Sequence, residues 1–185
     1  MRNLRSLETV EIDNMELVVT IKCLAWGRYL TTSRKTSPIP GGISITRTCR
    51  SPQFMIAKNS IKKGEIGEPL YAYIRLNDTI YVPTKMLSWA SKSSVLWFLG
   101  SHAIDTLRWL LSDEVEKVYA VSKSVVLSKM GIMTPDAYQA ILHFKGGFTA
   151  MLENSWILPE SSPIIYDFKV ELVGSEGVIY VDPSH

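Results

Sequence analysis

The last third of the chain alternates apolar and polar residues between glycine-rich turns, and segments patterned this way bury one face only as paired strands. Residues 165–173 put Phe168, Val170 and Leu172 on one side and Asp167, Lys169 and Glu171 on the other, because successive strand side chains point to opposite faces. Segments 137–145 and 148–157 are joined by Gly146-Gly147, a two-residue connection suited to a tight hairpin, and Gly174-Ser175-Glu176-Gly177 turns the next strand into 178–181. Upstream, 70–77 carries Tyr71, Tyr73 and Arg75 on one face and Leu70, Ala72, Ile74 and Leu76 on the other, and 115–122 is a further strand. Helical spacing is confined to 54–63, with Ile56, Ala57 and Ile61 inward and Gly64 as C-cap, and to 99–111. Helices gathered before a run of strands predict an α+β fold, a mostly antiparallel open sheet with helices packed on one face.

The helix at 99–111 concentrates the chemistry. Ala103, Ile104, Leu107, Leu110 and Leu111 make an apolar stripe, and Ser101 is placed as the N-cap. His102, Asp105 and Trp109 share a different face with Thr106. An imidazole one turn from a carboxylate suits a sugar or polyol hydroxyl, because His takes the proton while Asp orients the imidazole or the substrate; the same spacing also occurs in plain solvated surface pairs. The stretch 78–94 reads as a long irregular loop carrying Lys85, Trp89 and Lys92, and a loop of that length is usually functional or mobile. Arg75, Asn77, Lys85, Trp89, Asn154 and Trp156 are candidates to line a pocket around the helix, with indole faces for a sugar ring and polar groups for its hydroxyls. Arg75 and Asn77 also suit plain exposed strand positions, and Trp156 suits the core.

Composition excludes several classes. A formal charge of +2 gives no reason for nucleic-acid or anionic-membrane partners. No apolar run reaches the length of a membrane span, and Glu8, Glu11 and Asp13 break up any secretory leader. Cys23 and Cys49 lack metal-ligand spacing and imply no disulfide, so a cytoplasmic location with reduced thiols is expected. His102, His143 and His185 are scattered, so no metal site is expected. With 46% hydrophobic and 21% charged residues, the 185-residue chain can bury a real core.

Four segments, 50–69, 100–105 (Gly-Ser-His-Ala-Ile-Asp), 144–148 (Phe-Lys-Gly-Gly-Phe) and 173–178 (Val-Gly-Ser-Glu-Gly-Val), together resemble the second domain of the Gfo/Idh/MocA oxidoreductases, NAD(P)-dependent enzymes acting on sugars, inositols and related polyols. The resemblance implies that 49–185 is a C-terminal substrate-binding and oligomerising domain that stops short of the family's final strands. Residues 1–48 are left unassigned or poorly ordered, either a divergent remnant of the preceding domain or residues read in a wrong frame. His102 matches the family's proton-transferring His, and Asp105 the carboxylate after it; with Lys85, Trp89, Arg75 and Asn77 it forms the expected substrate-binding set. The carboxylate that the family commonly places four residues before the His is Phe98 here. Neither the catalytic lysine motif nor a Gly-x-Gly-x-x-Gly turn after a strand is present. NAD or NADP is therefore expected in the parent enzyme and none on this chain alone, a fragment inactive by itself that binds a sugar or polyol and forms a homo-oligomer through its sheet face. The alternative is a non-catalytic carbohydrate-binding or self-association module.

Overall fold

The computed structural model describes residues 51–183; the expectations for residues 1–48 and for Cys23, Cys49 and His185 fall outside them. Helix α1 (Pro52–Lys62) has proline in its first turn, where a missing N–H costs nothing, and is followed by Gly64 in the left-handed region. Its buried residues are Phe54 and Ala57, whereas Ile56 is exposed, against expectation. The sheet has the order β2-β3-β4-β1-β5-β6, formed by β1 (Pro69–Thr79), β2 (Val115–Lys123), β3 (Ala137–Phe144), β4 (Thr149–Leu158), β5 (Tyr166–Gly174) and β6 (Val178–Val181). Every neighbouring pair is antiparallel except the central one: β1 runs parallel to β4, with Ile74 opposite Leu152.

Period-two alternation divides the sheet cleanly. Ala72, Ile74 and Leu76 of β1, Leu142 and Phe144 of β3, Ala150 and Leu152 of β4, and Phe168, Val170 and Leu172 of β5 are buried on one face. Helices α1 and α2 (Ser101–Leu111) supply the opposing layer; the Phe54 and Phe168 rings meet at 5.2 Å, and Ala103, Ile104, Leu107 and Leu110 are buried. The other face is open among the described residues, with Tyr71, Tyr119, Ile141, Met151 and Tyr180 exposed. Leu70, expected inward, is 47% exposed at the start of β1. The β3–β4 hairpin closes at Gly146-Gly147 as expected, with Gly147 at φ 90° and the Phe144 N–H donating to the Phe148 carbonyl at 2.8 Å.

Side chains tie the layers together. Lys58 of α1 donates to the Trp109 and Leu110 carbonyls and to Ser112 Oγ, satisfying acceptors that a helix C-terminus leaves without partners. The short helix α3 (Val126–Lys129), not foreseen from sequence, starts where the Asp136 carboxylate accepts the N–H groups of Val125, Val126 and Leu127. Trp156, fully buried, donates Nε1–H to the Pro135 carbonyl at 2.8 Å and is a core residue. No described helix is long and apolar enough to cross a membrane.

Asp136→Ala leaves three buried or half-buried N–H groups without a partner and lowers the unfolding free energy by about 2–4 kcal/mol, read from urea denaturation. A loss no larger than the roughly 0.5 kcal/mol of a neutral surface change contradicts this role.

Candidate functional site

Helix α2 begins earlier than its apolar stripe suggests. A π-helical turn, Leu96–Gly100, leads directly into it, and Gly100 itself is helical at φ −62° and ψ −34°. Ser101 is consequently inside the helix, its hydroxyl donating back to the Trp97 carbonyl at 3.0 Å, and the expected N-cap role is corrected. Gly100 faces Asn154 of β4. A Cβ there would lie 2.8 Å from Asn154 Oδ1 and 2.6 Å from Leu96 Cδ1, so a side chain would have to displace the Leu96 tip and the buried Asn154 amide. Asn154 is fully buried; its Nδ2 donates to the Leu76 carbonyl at 2.9 Å and its Oδ1 has no hydrogen-bond partner.

This seating places His102 on the flank of α2. Its Nδ1 is buried without a hydrogen-bond partner, and burial pushes the imidazole below its ordinary value, which favours the neutral ring. A neutral imidazole with an uncommitted nitrogen can exchange a hydrogen bond or a proton with a hydroxyl. Asp105 lies one turn on, its carboxylate 3.6 Å from Arg108. Burial raises the Asp105 carboxyl, Arg108 opposes that rise and Glu114 adds to it. Arg108 is buried and grips Glu114 through Nε at 2.9 Å and Nη2 at 2.6 Å, a two-point pairing.

The stretch expected to be a long irregular loop is organised. β1 continues to Thr79, a π-helical turn occupies Val82–Met86 and a 3-10 turn Ala90–Lys92. Val82, Pro83 and Ala90 are buried, so Lys85 and Trp89 stand exposed on anchored backbone. Trp89 meets Phe98 at 5.7 Å in an edge-to-face arrangement, which brings it alongside the turn preceding His102.

Arg75 and Asn77 lie elsewhere. Both lie on the face of β1 turned away from α2, and Asn77 is buried there rather than exposed as its strand position suggested. Asn77 Nδ2 donates to Glu153 Oε1 at 2.6 Å, and Tyr73 donates its hydroxyl to Glu153 Oε2 at 2.7 Å. Burial and then Glu153 push the Tyr73 phenol up to about 12. Arg75 Nε lies 2.8 Å from Asp167. The structure thus places His102 and Asp105 one turn apart on α2, sets Trp89 against Phe98 in the turn before them, and puts Arg75 and Asn77 on the opposite face of the sheet.

The family model for the GFO/IDH/MocA C-terminal domain matches residues 54–180. The chain belongs to the GFO/IDH/MocA family. The match begins within α1 and ends within β6, so this GFO/IDH/MocA C-terminal domain takes in both layers of the fold, α2 with its His102 included. Myo-inositol 2-dehydrogenase of Thermotoga maritima is 26% identical over 130 residues, covering 70% of this chain and 37% of that enzyme. The myo-inositol 2-dehydrogenase of Lactobacillus plantarum superposes with a TM-score of 0.65 at 18% identity, over 75% of this chain and 40% of that one. The scyllo-inositol dehydrogenase of Lactobacillus casei, solved with NAD(H) and scyllo-inositol, gives 0.61 at 20% identity, over 74% and 40%. The chain therefore spans well under half the length of these relatives.

Two features of the domain were not picked out from sequence. Asp78, at the end of β1, is buried, and burial alone raises its carboxyl to about 7; only the strand alternation running on past Asn77 points to it. The Trp89–Phe98 contact is visible only in three dimensions.

The two shifted groups act on stability in opposite directions. His102, depressed below its unfolded value, destabilises the fold as pH falls below 6.5. Asp78, raised, destabilises it as pH rises from about 4 to about 7, so Asp78→Asn flattens that decline. Denaturation midpoints across pH 4–8 check both; an Asp78→Asn profile parallel to the parent's contradicts the burial of a protonated acid.

Proposed function

We propose that this domain binds the substrate of an NAD(P)-dependent sugar or polyol dehydrogenase and carries its oligomer contacts. His102 exchanges the proton of the substrate hydroxyl. Asp105 orients the substrate or the imidazole, Lys85 supplies a cation for hydroxyl contacts, and Trp89 offers an aromatic face. The observation that carries this reading is the buried, unpartnered Nδ1 of His102 on a family-matched helix. Names of inositol dehydrogenases among the relatives support a cyclic polyol as the substrate class.

The residues present do not fit a dinucleotide. The sequence has no Gly-x-Gly-x-x-Gly turn. Hydride transfer therefore belongs to a nucleotide-binding partner domain, and the chain alone is inactive as a dehydrogenase. Residues 49–185 form the proposed functional unit. Its open sheet face, carrying Tyr71, Ile141, Met151 and Tyr180, is the surface on which a second copy packs.

Saturation-transfer NMR with myo-inositol tests the site. The full chain binds, His102→Ala weakens binding tenfold or more, and equal binding by the variant removes His102 from the site. Sedimentation tests the open face. The chain is dimeric, and Tyr71→Lys combined with Met151→Lys yields monomer; an unchanged mass for the double variant rules that face out.

A further inference from the structure

Asp78 is the one acid of β1, and it is 5% exposed. Strand alternation puts it on the face of Ile74 and Leu76, turned toward the helices. The parallel pairing with β4 is bulged at this point. Asn77 stands opposite Ser155 and Thr79 opposite Leu158, so Asp78 alone answers both Trp156 and Ile157. The two hydrogen bonds that hold the strand end follow directly. The Thr79 N–H donates to the Ile165 carbonyl at 2.9 Å, and the Ile80 N–H to the Leu158 carbonyl at 2.8 Å. Past Ile80 the bonding turns local, with Thr84 Oγ1 donating to the Ile80 carbonyl at 2.6 Å and the Leu87 N–H to the Val82 carbonyl at 3.0 Å. At its other end the segment is held by Thr134 Oγ1, which donates to the Ser93 carbonyl at 2.8 Å. Among the described residues no charge offsets a carboxylate at position 78. Its opposite number on β5 is Tyr166, β4 brings Trp156 and Ile157, and the Leu96–Gly100 turn packed over β1 has no ionisable residue. Lys85 and Glu160 are exposed, Asp167 is on the other face with Arg75 and Lys169, and His102 and Asp105 are on α2. Burial alone therefore sets the Asp78 carboxyl, up at about 7.

We propose that Asp78 is a pH-sensitive latch on the end of β1: neutral, it lets the strand end close, and ionised, it loosens the two bonds after it and frees the strap from Tyr81 to Lys92. A carboxylate in these apolar surroundings must gain water, and loosening the bulged strand end admits it. The closed form holds the proton up to about 7, whereas the open form releases it at the ordinary value of about 4, so opening is favoured as pH rises. The strap carries Lys85 and Trp89, and its mobility increases as pH climbs through neutrality. The latch is separate from the polyol reading and stands without it.

NMR of the full chain between pH 5 and pH 8 tests the latch, with the Asp78 carboxyl carbon followed directly and hydrogen exchange read at the backbone amides. In the parent, the Asp78 carboxyl, the Thr79 and Ile80 amides and the Trp89 indole N–H titrate with one midpoint. Corrected for the intrinsic pH dependence of exchange, protection of the Thr79 and Ile80 amides falls at least tenfold from pH 5 to pH 8. These two amides exchange faster throughout than those of Leu142 and Leu152 on the interior strands. Asp78→Asn keeps the strand end closed, and its Ile80 and Trp89 signals no longer move with that midpoint. An Asp78 carboxyl titrating at its ordinary value overturns the proposal in the parent itself. Movement of the Ile80 and Trp89 signals that persists in Asp78→Asn also overturns it, because another group is then responsible. Protection at Thr79 and Ile80 equal to that of Leu142 overturns it as well, since opening is then global unfolding. A Trp89 indole that stays fixed while Thr79 and Ile80 titrate overturns it too, because the strap does not follow the strand end.

Discussion

The close approach of one helix to the sheet at Gly100 governs the arrangement of this domain. Asn154 on β4 has its amide fixed to the Leu76 carbonyl, and a Cβ at Gly100 would crowd its oxygen. That contact leaves little room for α2 to move away from or along β4 without disturbing the buried amide. Ala103, Leu107 and Leu110 then point into the sheet, and His102 and Asp105 fall on the flank. Lys58 at the helix C-terminus and the Arg108–Glu114 pairing tie the far end. A side chain added at Gly100 would disturb the site by moving the helix, not by touching a ligand.

The same seating explains the electrostatics. His102 loses water without gaining a partner for Nδ1, which leaves a neutral imidazole. Asp105 also loses water, yet it lies against a guanidinium committed chiefly to Glu114. The flank consequently carries one uncommitted nitrogen and one partly compensated carboxylate. This asymmetry suits a group that handles protons beside a group that orients them. The other face of the sheet is built differently: Tyr73 and Asn77 Nδ2 donate to Glu153 and Arg75 pairs with Asp167, Asn77 Oδ1 is buried without a partner, and exposed apolar side chains flank them. Paired charges amid apolar surface suit contact with protein more than capture of a small polar ligand.

Much of the fold is legible in the residues because its signals are local. Strand alternation from Phe168 to Leu172 and the Gly146-Gly147 turn each act over a few residues, and the structure follows them. The parallel pairing of β1 with β4 is a long-range choice that neither strand encodes alone. The π-helical start of α2 was illegible because residues 95–99 are nearly all apolar and carry no period. Alternation in 70–77 correctly separated Arg75 from Ile74, yet the pocket expected around the helix drew from both faces; the sheet keeps Arg75 and Asn77 away from His102. Position 98 was legible only as a departure from a family pattern, and what its ring does depends on Trp89 arriving from another segment.

The most direct test is a crystal structure of the full chain soaked with myo-inositol. Density for the ring within hydrogen-bond reach of His102, with its C–H face on Trp89, is the predicted result. Density on the open sheet face beside Arg75 and Asn77, with none at His102, would contradict the assignment of the site.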